Sequence, residues 1–254
     1  MSTPLVSVIT PTYNSREFIT ATTQSVIDQS ETDWEMIIVD DCSKDDTGDV
    51  VRCIAAEDTR IRLIELEINR GAAVARNTAI RAARGRYIAF LDADDLWKPH
   101  KLERQLAFMR KNDADLSFTA YDLINEYGDL AGYITVPESV TYKQLLHSNV
   151  IGCQTAIYDT KRLGIVEMPL IRKRQDFGLW LKILRMTRYA YGMQEKLSYY
   201  RLRPGSISYN KVSTVKYTWK LYTEIEKLPR HRAAYYISSH LLKALRRRLR
   251  NRFR

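Results

Sequence analysis

The sequence contains little cysteine, and none of its three thiols belongs to a CxxC pair. Cysteines this few and this scattered do not make a disulfide framework, and they argue against a structural zinc site. The first residues lack a basic segment followed by an apolar one, so no signal peptide is predicted. No run of about 18 apolar residues occurs, so no transmembrane helix is predicted. These absences together predict a protein of the reducing cytoplasm.

Acidic residues are scarce in only one region of the chain. The 254 residues carry a formal net charge of +10, but residues 1–200 are near balance. Beyond residue 202, lysine and arginine recur while only Glu224 and Glu226 oppose them. This charge is a weak argument for nucleic-acid binding, since no RNP, zinc or recognition-helix motif accompanies it. No nucleic-acid partner is therefore predicted.

What the sequence does contain is an alternation of apolar runs and helical periodicity through residue 111. Four apolar, often β-branched runs predict buried strands, and each is followed by a stretch with helical spacing. The predicted strands are 5–10, 34–39, 61–64 and 86–91, and the predicted helices are 16–29, 45–57, 71–84 and 99–111. The first strand is expected to end at Pro11, and Gly85 is expected to cap the third helix. This order predicts an α/β fold with a mostly parallel central sheet and helices on both faces.

The pattern changes after residue 112. Residues 115–124 and 130–136 predict a hairpin. Further strands are predicted at 153–158 and 195–202, and further helices at 141–147, 176–186, 211–227 and 231–250. Because ligands of parallel sheets bind beyond the carboxyl ends of the strands, the residues that follow each strand are the candidates for a functional site.

An acidic cluster directly follows the strand at 86–91. Asp92, Asp94 and Asp95 place their carboxylates within one short segment, where they repel one another unless a cation is present. Carboxylate oxygens suit Mg²⁺ or Mn²⁺ that bridges to a diphosphate. The alternative is a solvated turn in which Asp95 caps the next helix.

Polar residues also follow the first two strands. Asp40 and Asp41 could accept hydrogen bonds from a base or a ribose, or could form an Asx turn or a helix cap. In the segment 11–14, Tyr13 is suited to stacking near a base, and Asn14 is expected to cap the following helix.

The segment Asn69–Asn77 opens a helix with glycine, small residues and Arg76. A helix N-terminus with an arginine nearby attracts phosphate, which makes Arg76 a candidate nucleotide contact. The segment lacks the glycine spacing of a P-loop or a GxGxxG turn. The alternative is that Gly71 and the alanines only allow close packing of helix on sheet.

Five short motifs, in this order, resemble those of family 2 glycosyltransferases. They are Ser7–Asn14, Ile38–Asp41, Asn69–Gly71 with Ala75–Asn77, Leu91–Trp97 and Arg174–Trp180. The similarity runs from about residue 5 to residue 208 and implies the GT-A fold. It also implies transfer with inversion from a nucleotide-sugar, usually a UDP-sugar, with Mg²⁺ or Mn²⁺ on the diphosphate.

The resemblance assigns the nucleotide site residue by residue. Pro11, Thr12 and Tyr13 would line the nucleoside pocket. Asp41 would contact the base, with Asp40 beside it.

The same resemblance assigns the metal ligands, the contact with the donor sugar and the catalytic base. Asp92 and Asp94 match the family's DxD element, with Asp94 as the direct metal contact, and Asp95 would face the donor sugar or the metal's second shell. Asp176 matches the catalytic base, and its alternative is a helix N-cap. Gln175 stands where family members often have Glu.

Many members of the family carry His where Arg203 stands. An arginine can neutralise phosphate but cannot ligate a metal, so Arg203 is expected to contact the nucleotide's phosphates.

The resemblance also divides the chain into predicted domains. Residues 1–208 would form the GT-A catalytic domain, with a nucleotide-binding half at 1–112 and an acceptor-side half at 113–208. Residues 209–254 would form a basic helical C-terminal extension.

An apolar stripe flanked by basic residues runs through 231–250. The stripe consists of Ala234, Ile237, Leu241, Leu245 and Leu249. The pattern suits an amphipathic helix lying on an anionic membrane surface, or a helix that packs its stripe on the catalytic domain.

The predicted function is sugar transfer to a lipid-linked or oligosaccharide acceptor in surface polysaccharide or lipopolysaccharide synthesis. The enzyme would be cytoplasmic, with the C-terminal helix as its peripheral contact with the inner face of the cell membrane. One alternative is a sugar-nucleotidyltransferase, which would carry a glycine-rich loop after the first strand, whereas residues 11–16 contain no glycine. A second alternative is a non-catalytic nucleotide-sugar-binding protein.

Overall fold

Strands and helices alternate through Lys111, as the sequence predicts, except that an unpredicted strand of two residues, Leu96–Trp97, follows the fourth strand directly. The computed structural model describes residues 3–203 and 211–252, with side chains at 3–203 and 214–243. The strands of this first part are β1 (Val6–Thr12), β2 (Trp34–Asp40), β3 (Ile61–Glu65), β4 (Tyr87–Phe90) and β5 (Leu96–Trp97). The helices are α1 (Arg16–Ile27), α2 (Thr47–Glu57), α3 (Ala72–Ala82) and α4 (Lys101–Lys111).

The second part begins with the predicted hairpin, which is confirmed. Its strands are β6 (Leu116–Ile124), β7 (Leu130–Ile134), β8 (Ser139–Val140), β9 (Ile157–Asp159) and β10 (Ala190–Arg201). Its helices are α5 (Tyr142–Leu146), α6 (Thr160–Leu163), α7 (Gln175–Ile183), α8 (Lys211–Lys220) and α9 (Arg230–Arg252). The predicted strand at 153–158 is wrong in its first half, where Cys153–Thr155 forms a 3₁₀ turn. After α8 the backbone continues as a π-helix over Leu221–Ile225.

These strands form one mixed sheet in the order β3-β2-β1-β4-β9-β6-β10-β5, with β7 on β6 and β8 on β10. Strands β1 to β4 are mutually parallel, and β10 is parallel to β6, while β9 runs antiparallel to both β4 and β6. The predicted α/β fold with a mostly parallel centre is therefore confirmed. Every residue of β1, β2 and β4 is buried, which explains why their sequences are mostly apolar.

The prediction that β1 ends at Pro11 is wrong, because the strand runs on to Thr12. Pro11 pairs with Val39 of β2, while the pairing of β1 with β4 ends at Ile9. Beyond Ile9 the strand has a ladder partner on one side only, so the missing N–H of proline disrupts little.

The prediction that Gly85 caps α3 is also wrong. The helix ends at Ala82, and Ala83 is the residue that follows it. A Cβ atom on Gly85 would lie 2.5 Å from the backbone nitrogen of Ser7. Glycine is required here because the chain passes directly against β1, not because a helix must be terminated.

The C-terminal helix α9 packs on the domain through a face that only partly matches the predicted stripe. Ala233 is fully buried, and Ile237 packs against the main hydrophobic core, but Leu241 is 53% exposed. His240 joins this interface, where its Nε2 lies 2.8 Å from the hydroxyl of Tyr222. Burial in this interface lowers the pKa of His240 to about 4, so the ring is neutral at pH 7. Packing on the domain thus accounts for one face of α9.

The predicted boundary between catalytic domain and extension, at 208/209, lies outside the described residues. Within 3–203 and 211–252, none of the helices has both the length and the apolar content that crossing a bilayer requires.

Candidate functional site

A cleft of about 910 Å³ opens at the edge of the sheet where the parallel strands β1, β2 and β4 end. Parallel strands bring their carboxyl ends to one edge, so loops that are distant in sequence meet there. The structure brings together at this cleft most of the predicted site residues: Pro11, Thr12, Tyr13, Asp41, Arg76, Asp92, Asp94 and Arg203. Asp40, Asp95 and Asp176 are not among the lining residues.

Asp41 holds one wall of the cleft. Its two carboxylate oxygens accept hydrogen bonds from the backbone N–H groups of Arg70 and Gly71, each at 2.7 Å. Gly71 has φ of +88°, a conformation that glycine adopts without strain. Asp41 therefore fixes the loop before α3 and turns the start of that helix toward the cleft.

Asp40 faces a different loop. Its Oδ2 accepts the backbone N–H of Ser43 at 2.9 Å, and its Oδ1 accepts the hydroxyl of the same serine. The bonded N–H is three residues on, one residue beyond the Asx turn given above as an alternative for the acidic pair. In this arrangement the Asp40 carboxylate shapes the loop behind the cleft.

Asn14 does not cap α1, contrary to expectation. Its Oδ1 accepts the backbone N–H of Lys44 at 2.7 Å, and its own N–H donates to Ser43 Oγ at 2.9 Å. Asn14 therefore ties the loop after β1 to the loop after β2, which keeps the two strand ends in register. Tyr13, beside it on the cleft wall, is 44% exposed and free to contact a ligand.

The Asp-Ala-Asp segment presents each of its two carboxylates to an arginine. Arg76 Nη2 donates to Asp92 Oδ1 at 2.5 Å, and Arg203 Nε donates to Asp94 Oδ2 at 2.5 Å. Burial, followed by the neighbouring charge of Asp92, raises the pKa of Asp94, although the Arg203 guanidinium opposes this. The two carboxylates are thus neutralised by two arginines, and the same arginines could bind the phosphates of a ligand.

Asp95 lies behind this segment and does not cap the next helix. Its Oδ1 accepts the backbone N–H of Arg201 at 2.9 Å, and α4 begins only at Lys101. The residue is 2% exposed, and burial together with the charges of Asp94 and Asp92 raises its pKa well above the usual range. Its contacts fasten the Asp-Ala-Asp segment to β10.

The predicted metal ligands suit a cation that arrives with its substrate. Within the described part of the chain, no three His, Cys, Asp or Glu side chains are grouped to hold a metal ion. Of the three aspartates that follow β4, only Asp92 and Asp94 line the cleft. Two carboxylates, completed by water and substrate phosphates, are the ligand set that Mg²⁺ commonly adopts. The residues present therefore fit a divalent cation bound together with a diphosphate.

Asp176 is the second residue of α7, and Arg174 occupies the N-cap position with φ of +68°. The alternative interpretation of Asp176 as the N-cap is therefore wrong. Burial raises the pKa of Asp176, while the Phe177 N–H and the charges of Arg174 and Arg76 oppose this rise. A carboxyl with a raised pKa beside a cleft is suited to accepting a proton.

A hydrogen-bonded chain joins the Asp-Ala-Asp segment to α7. Arg76, which already binds Asp92, donates through Nη1 to Gln175 Oε1 at 3.3 Å. Gln175 in turn donates from Nε2 to the carbonyl of Arg172 at 3.1 Å. Because Gln175 is neutral, this hydrogen bond does not add a second carboxylate to Arg76, which is ion-paired with Asp92.

Sequence reasoning missed several residues that line the cleft. Arg70 lies inside the motif at 69–71, which was the available signal. Tyr200 lies near the end of β10, outside the five motifs. Leu170 and Arg172 precede the last motif, and no pattern in the sequence marks them. Only the fold of the loop before α7 brings them to the cleft.

The chain is similar to proteins of one family. A family model described as "Glycosyl transferase family 2" matches residues 7–161. A "Putative teichuronic acid biosynthesis glycosyltransferase TuaG" of Bacillus subtilis is 49% identical over 247 residues, which cover 97% of this chain and 98% of that protein. The Escherichia coli "UDP-Glc:alpha-D-GlcNAc-diphosphoundecaprenol beta-1,3-glucosyltransferase WfgD" is 37% identical, covering 92% of this chain and 91% of that protein.

Solved structures share the fold at low sequence identity. Staphylococcus aureus TarS 1–349, in complex with UDP-GlcNAc, has a TM-score of 0.73 and 23% identity, covering 93% of this chain and 71% of that one. The mannosyltransferase PcManGT from Pyrobaculum calidifontis, in complex with GDP-Man and Mn²⁺, has a TM-score of 0.66 and 19% identity, covering 93% and 70%.

Proposed function

The chain belongs to glycosyl transferase family 2 and is a glycosyltransferase, and we propose that it moves the sugar of a UDP-sugar, with inversion, to a hydroxyl of a lipid-linked acceptor. The observation that carries this proposal is the convergence on one cleft of Asp41, Asp92, Asp94 and Arg76, with Asp176 on the adjoining helix. Relatives named for teichuronic acid biosynthesis and for a diphosphoundecaprenol acceptor support a role in surface polysaccharide synthesis.

The donor half of the reaction depends on charge at the cleft. The nucleoside would lie against Pro11, Thr12 and Tyr13, beside the loop that Asp41 holds. Arg76 and Arg203 are positioned to bind phosphate oxygens in exchange for their present carboxylate partners. A divalent cation held by Asp92 and Asp94 would add positive charge to the diphosphate leaving group. As the bond to the anomeric carbon breaks, these residues stabilise the charge that develops on the diphosphate.

The acceptor half depends on Asp176. Inversion requires a base on the face of the sugar opposite the leaving group. Asp176 would take the proton of the acceptor hydroxyl while the hydroxyl oxygen attacks the anomeric carbon. Burial raises the pKa of this carboxyl, which increases its basicity.

A panel of nucleotide-sugars tests the proposed class and donor together. With Mn²⁺ or Mg²⁺ and a lipid-linked acceptor, we expect release of UDP from one UDP-sugar and no comparable release from GDP- or CMP-sugars. The measurement is nucleoside diphosphate release coupled to detection of the glycosylated acceptor. The absence of release from every donor, with lipid-linked acceptors supplied, would refute the proposal in favour of a non-catalytic nucleotide-sugar-binding protein.

A second proposal concerns the membrane. Helix α9 leaves Leu241 and Leu242 more than half exposed beside the face that packs on the domain. The sequence places a cluster of arginines immediately after them, at 246–248. Apolar and basic residues that alternate in this way favour an anionic membrane surface, where each basic residue contributes about 1 kcal/mol.

Vesicle sedimentation tests this attachment without removing the part of α9 that packs on the domain. Replacing both Arg246 and Arg247 by glutamate should lower the partition into anionic vesicles at low salt at least about tenfold. The same charge reversal at the exposed pair Arg110 and Lys111 is the matched control, and it should leave binding nearly unchanged. Equal binding by both variants would show that α9 is not the attachment.

A further inference from the structure

More arginines line the cleft than the two proposed to bind the donor's phosphates. Its lining includes four arginines, Arg70, Arg76, Arg172 and Arg203. Arg76 and Arg203 are paired with the two aspartates of the Asp-Ala-Asp segment. The side chains of Arg70 and Arg172 make no hydrogen bond or ion pair with any residue that the structure describes. As far as the described residues go, these two arginines are therefore unpaired and available to an anionic ligand.

Arg70 and Arg172 belong to two different loops at the cleft. Arg70 immediately precedes α3, on the loop that Asp41 holds, which is the nucleotide side. Arg172 lies on the loop before α7, and its carbonyl accepts the hydrogen bond from Gln175, the neighbour of Asp176. Arg172 is thus placed beside the proposed base, where an acceptor rather than a donor would be bound.

The loop that carries Arg172 is held rigidly. Asn77 of α3 exchanges two hydrogen bonds with Met168, donating to its carbonyl at 2.9 Å and accepting from its N–H at 2.8 Å. Pro169 packs against Gly178 of α7, where a Cβ would lie 2.4 Å from the proline ring. A loop fixed at these points presents its remaining side chains in a defined direction.

An exposed apolar residue stands next to the free arginine. Leu170 lines the cleft and is 71% exposed, while Ile171 between the two is 5% exposed and anchors the loop in the core. A cation for a phosphate and an apolar side chain for a hydrocarbon stand side by side at the mouth of the cleft. A lipid diphosphate joined to a sugar carries both of these groups in the same order.

We propose that the segment Leu170–Arg172 is the binding site for the diphosphate and the first hydrocarbon units of a lipid-linked acceptor. Arg172 binds the acceptor's diphosphate, and Leu170 contacts the adjoining chain. The sugar that bears the reacting hydroxyl then lies between this segment and Asp176. This inference rests on the proposed transfer to a lipid-linked acceptor, and it names the residues of this chain that would recognise that acceptor.

Two acceptors with the same sugar and the same long alkyl chain test the inference, one joined through a diphosphate and the other through a plain glycosidic oxygen. The wild-type enzyme should prefer the diphosphate acceptor. Arg172→Ala should raise KM for the diphosphate acceptor about tenfold, the range for a lost charge-assisted hydrogen bond, and leave KM for the plain glycoside unchanged. Arg172→Lys should recover part of the loss, and UDP affinity should be unchanged in both variants.

Two further variants control the experiment. Arg188→Ala removes the same charge from an exposed site outside the cleft lining and should not alter KM for either acceptor. Leu170→Ser should raise KM for long-chain diphosphate acceptors more than for short-chain ones.

The failures are distinguishable. A weaker UDP affinity in Arg172→Ala would make Arg172 a donor ligand and overturn the inference. Equal rises in KM for both acceptors, or no preference by the wild-type enzyme, would overturn it while leaving glycosyl transfer intact. Failure of the wild-type enzyme to use either acceptor would overturn the proposed function and this inference with it.

Discussion

Replacing Asp176 by asparagine should lower kcat about 1000-fold while UDP binding stays unchanged. Asparagine keeps the size of the side chain and its place in the first turn of α7, but its amide cannot take a proton from an acceptor hydroxyl. Among its electrostatic neighbours are Arg76 and Asp92, so the carboxyl lies close to the residues proposed to bind the diphosphate. The loss should therefore appear in the chemical step rather than in donor affinity.

The pH profile gives this prediction a second readout. Burial raises the pKa of Asp176, against the opposing effects of the Phe177 N–H, Arg174 and Arg76. A base must be ionised to act, so kcat should fall as the pH decreases through this raised pKa, above the usual range of an aspartate. The residual activity of Asp176→Asn should lack that acidic limb.

Asp113→Asn is the matched control, since the Asp113 side chain is 87% exposed and remote from the cleft lining. It should leave kcat, UDP affinity and the acidic limb as in the wild-type enzyme. If Asp176→Asn retained kcat within a few-fold, the base would have to be another group, and the inverting mechanism proposed above would be lost.

Replacing Asp94 by asparagine should lower the rate of sugar transfer about 100-fold or more. The carboxylate of Asp94 is ion-paired with Arg203 and lies at the cleft beside Asp92. The substitution replaces one of the two carboxylates that would hold the cation on the diphosphate by a neutral amide, which binds a divalent cation more weakly. The loss should appear both in transfer and in Mn²⁺-dependent affinity for UDP.

The direction of the change in UDP affinity distinguishes two roles for Asp94, which are holding a bridging cation and placing a negative charge near the diphosphate. With Mn²⁺ present, Asp94→Asn should bind UDP more weakly than the wild-type protein, because the bridging cation is lost. After removal of metal with EDTA, the same variant should bind UDP more tightly, because a negative charge near the diphosphate is gone. Calorimetric titration under the two conditions measures both effects.

Glu126→Gln is the control for this pair of measurements. Its exposed side chain carries the same charge and lies on the hairpin whose carbonyls Arg201 binds, but it does not line the cleft. UDP affinity that is independent of metal in the wild-type protein and in Asp94→Asn would rule out the metal role of the Asp-Ala-Asp segment.

Much of this site could be predicted because its residues follow strands. The acidic residues after β2 and β4 meet at one edge because both strands run parallel to β1, which lies between them, and the alternation of apolar runs and helices already implied such a sheet. The positions of Asp41, Asp92 and Asp94 at the cleft follow from that rule. The rule says nothing about the direction of a side chain, and Asp40 and Asp95 accordingly face the loop of Ser43 and the backbone of β10.

The predictions made from Pro11 and Gly85 were wrong because they considered only the neighbouring residues in the sequence. Pro11 could remain in a strand because β1 has a single neighbour beyond Ile9, and Gly85 is required by the close passage of the chain beside Ser7. Both outcomes depend on which strand or segment lies alongside. That information belongs to pairs of segments far apart in the chain, and no window of sequence contains it.

By itself the sequence determined the order of the longer strands and helices, though not the short elements β5, β8 and α6, together with the family and the identity of the acidic residues at the rim of the sheet. These features are encoded locally, in hydrophobic periodicity and in short motifs. Tertiary structure alone decided that Arg76 joins Asp92 to Gln175, that α9 docks through Ala233 and His240, and that Leu170 and Arg172 stand at the mouth of the cleft. The physical reason is that charge pairing, burial and access to a cleft are properties of side chains brought together from distant parts of the chain, and they exist only once it has folded.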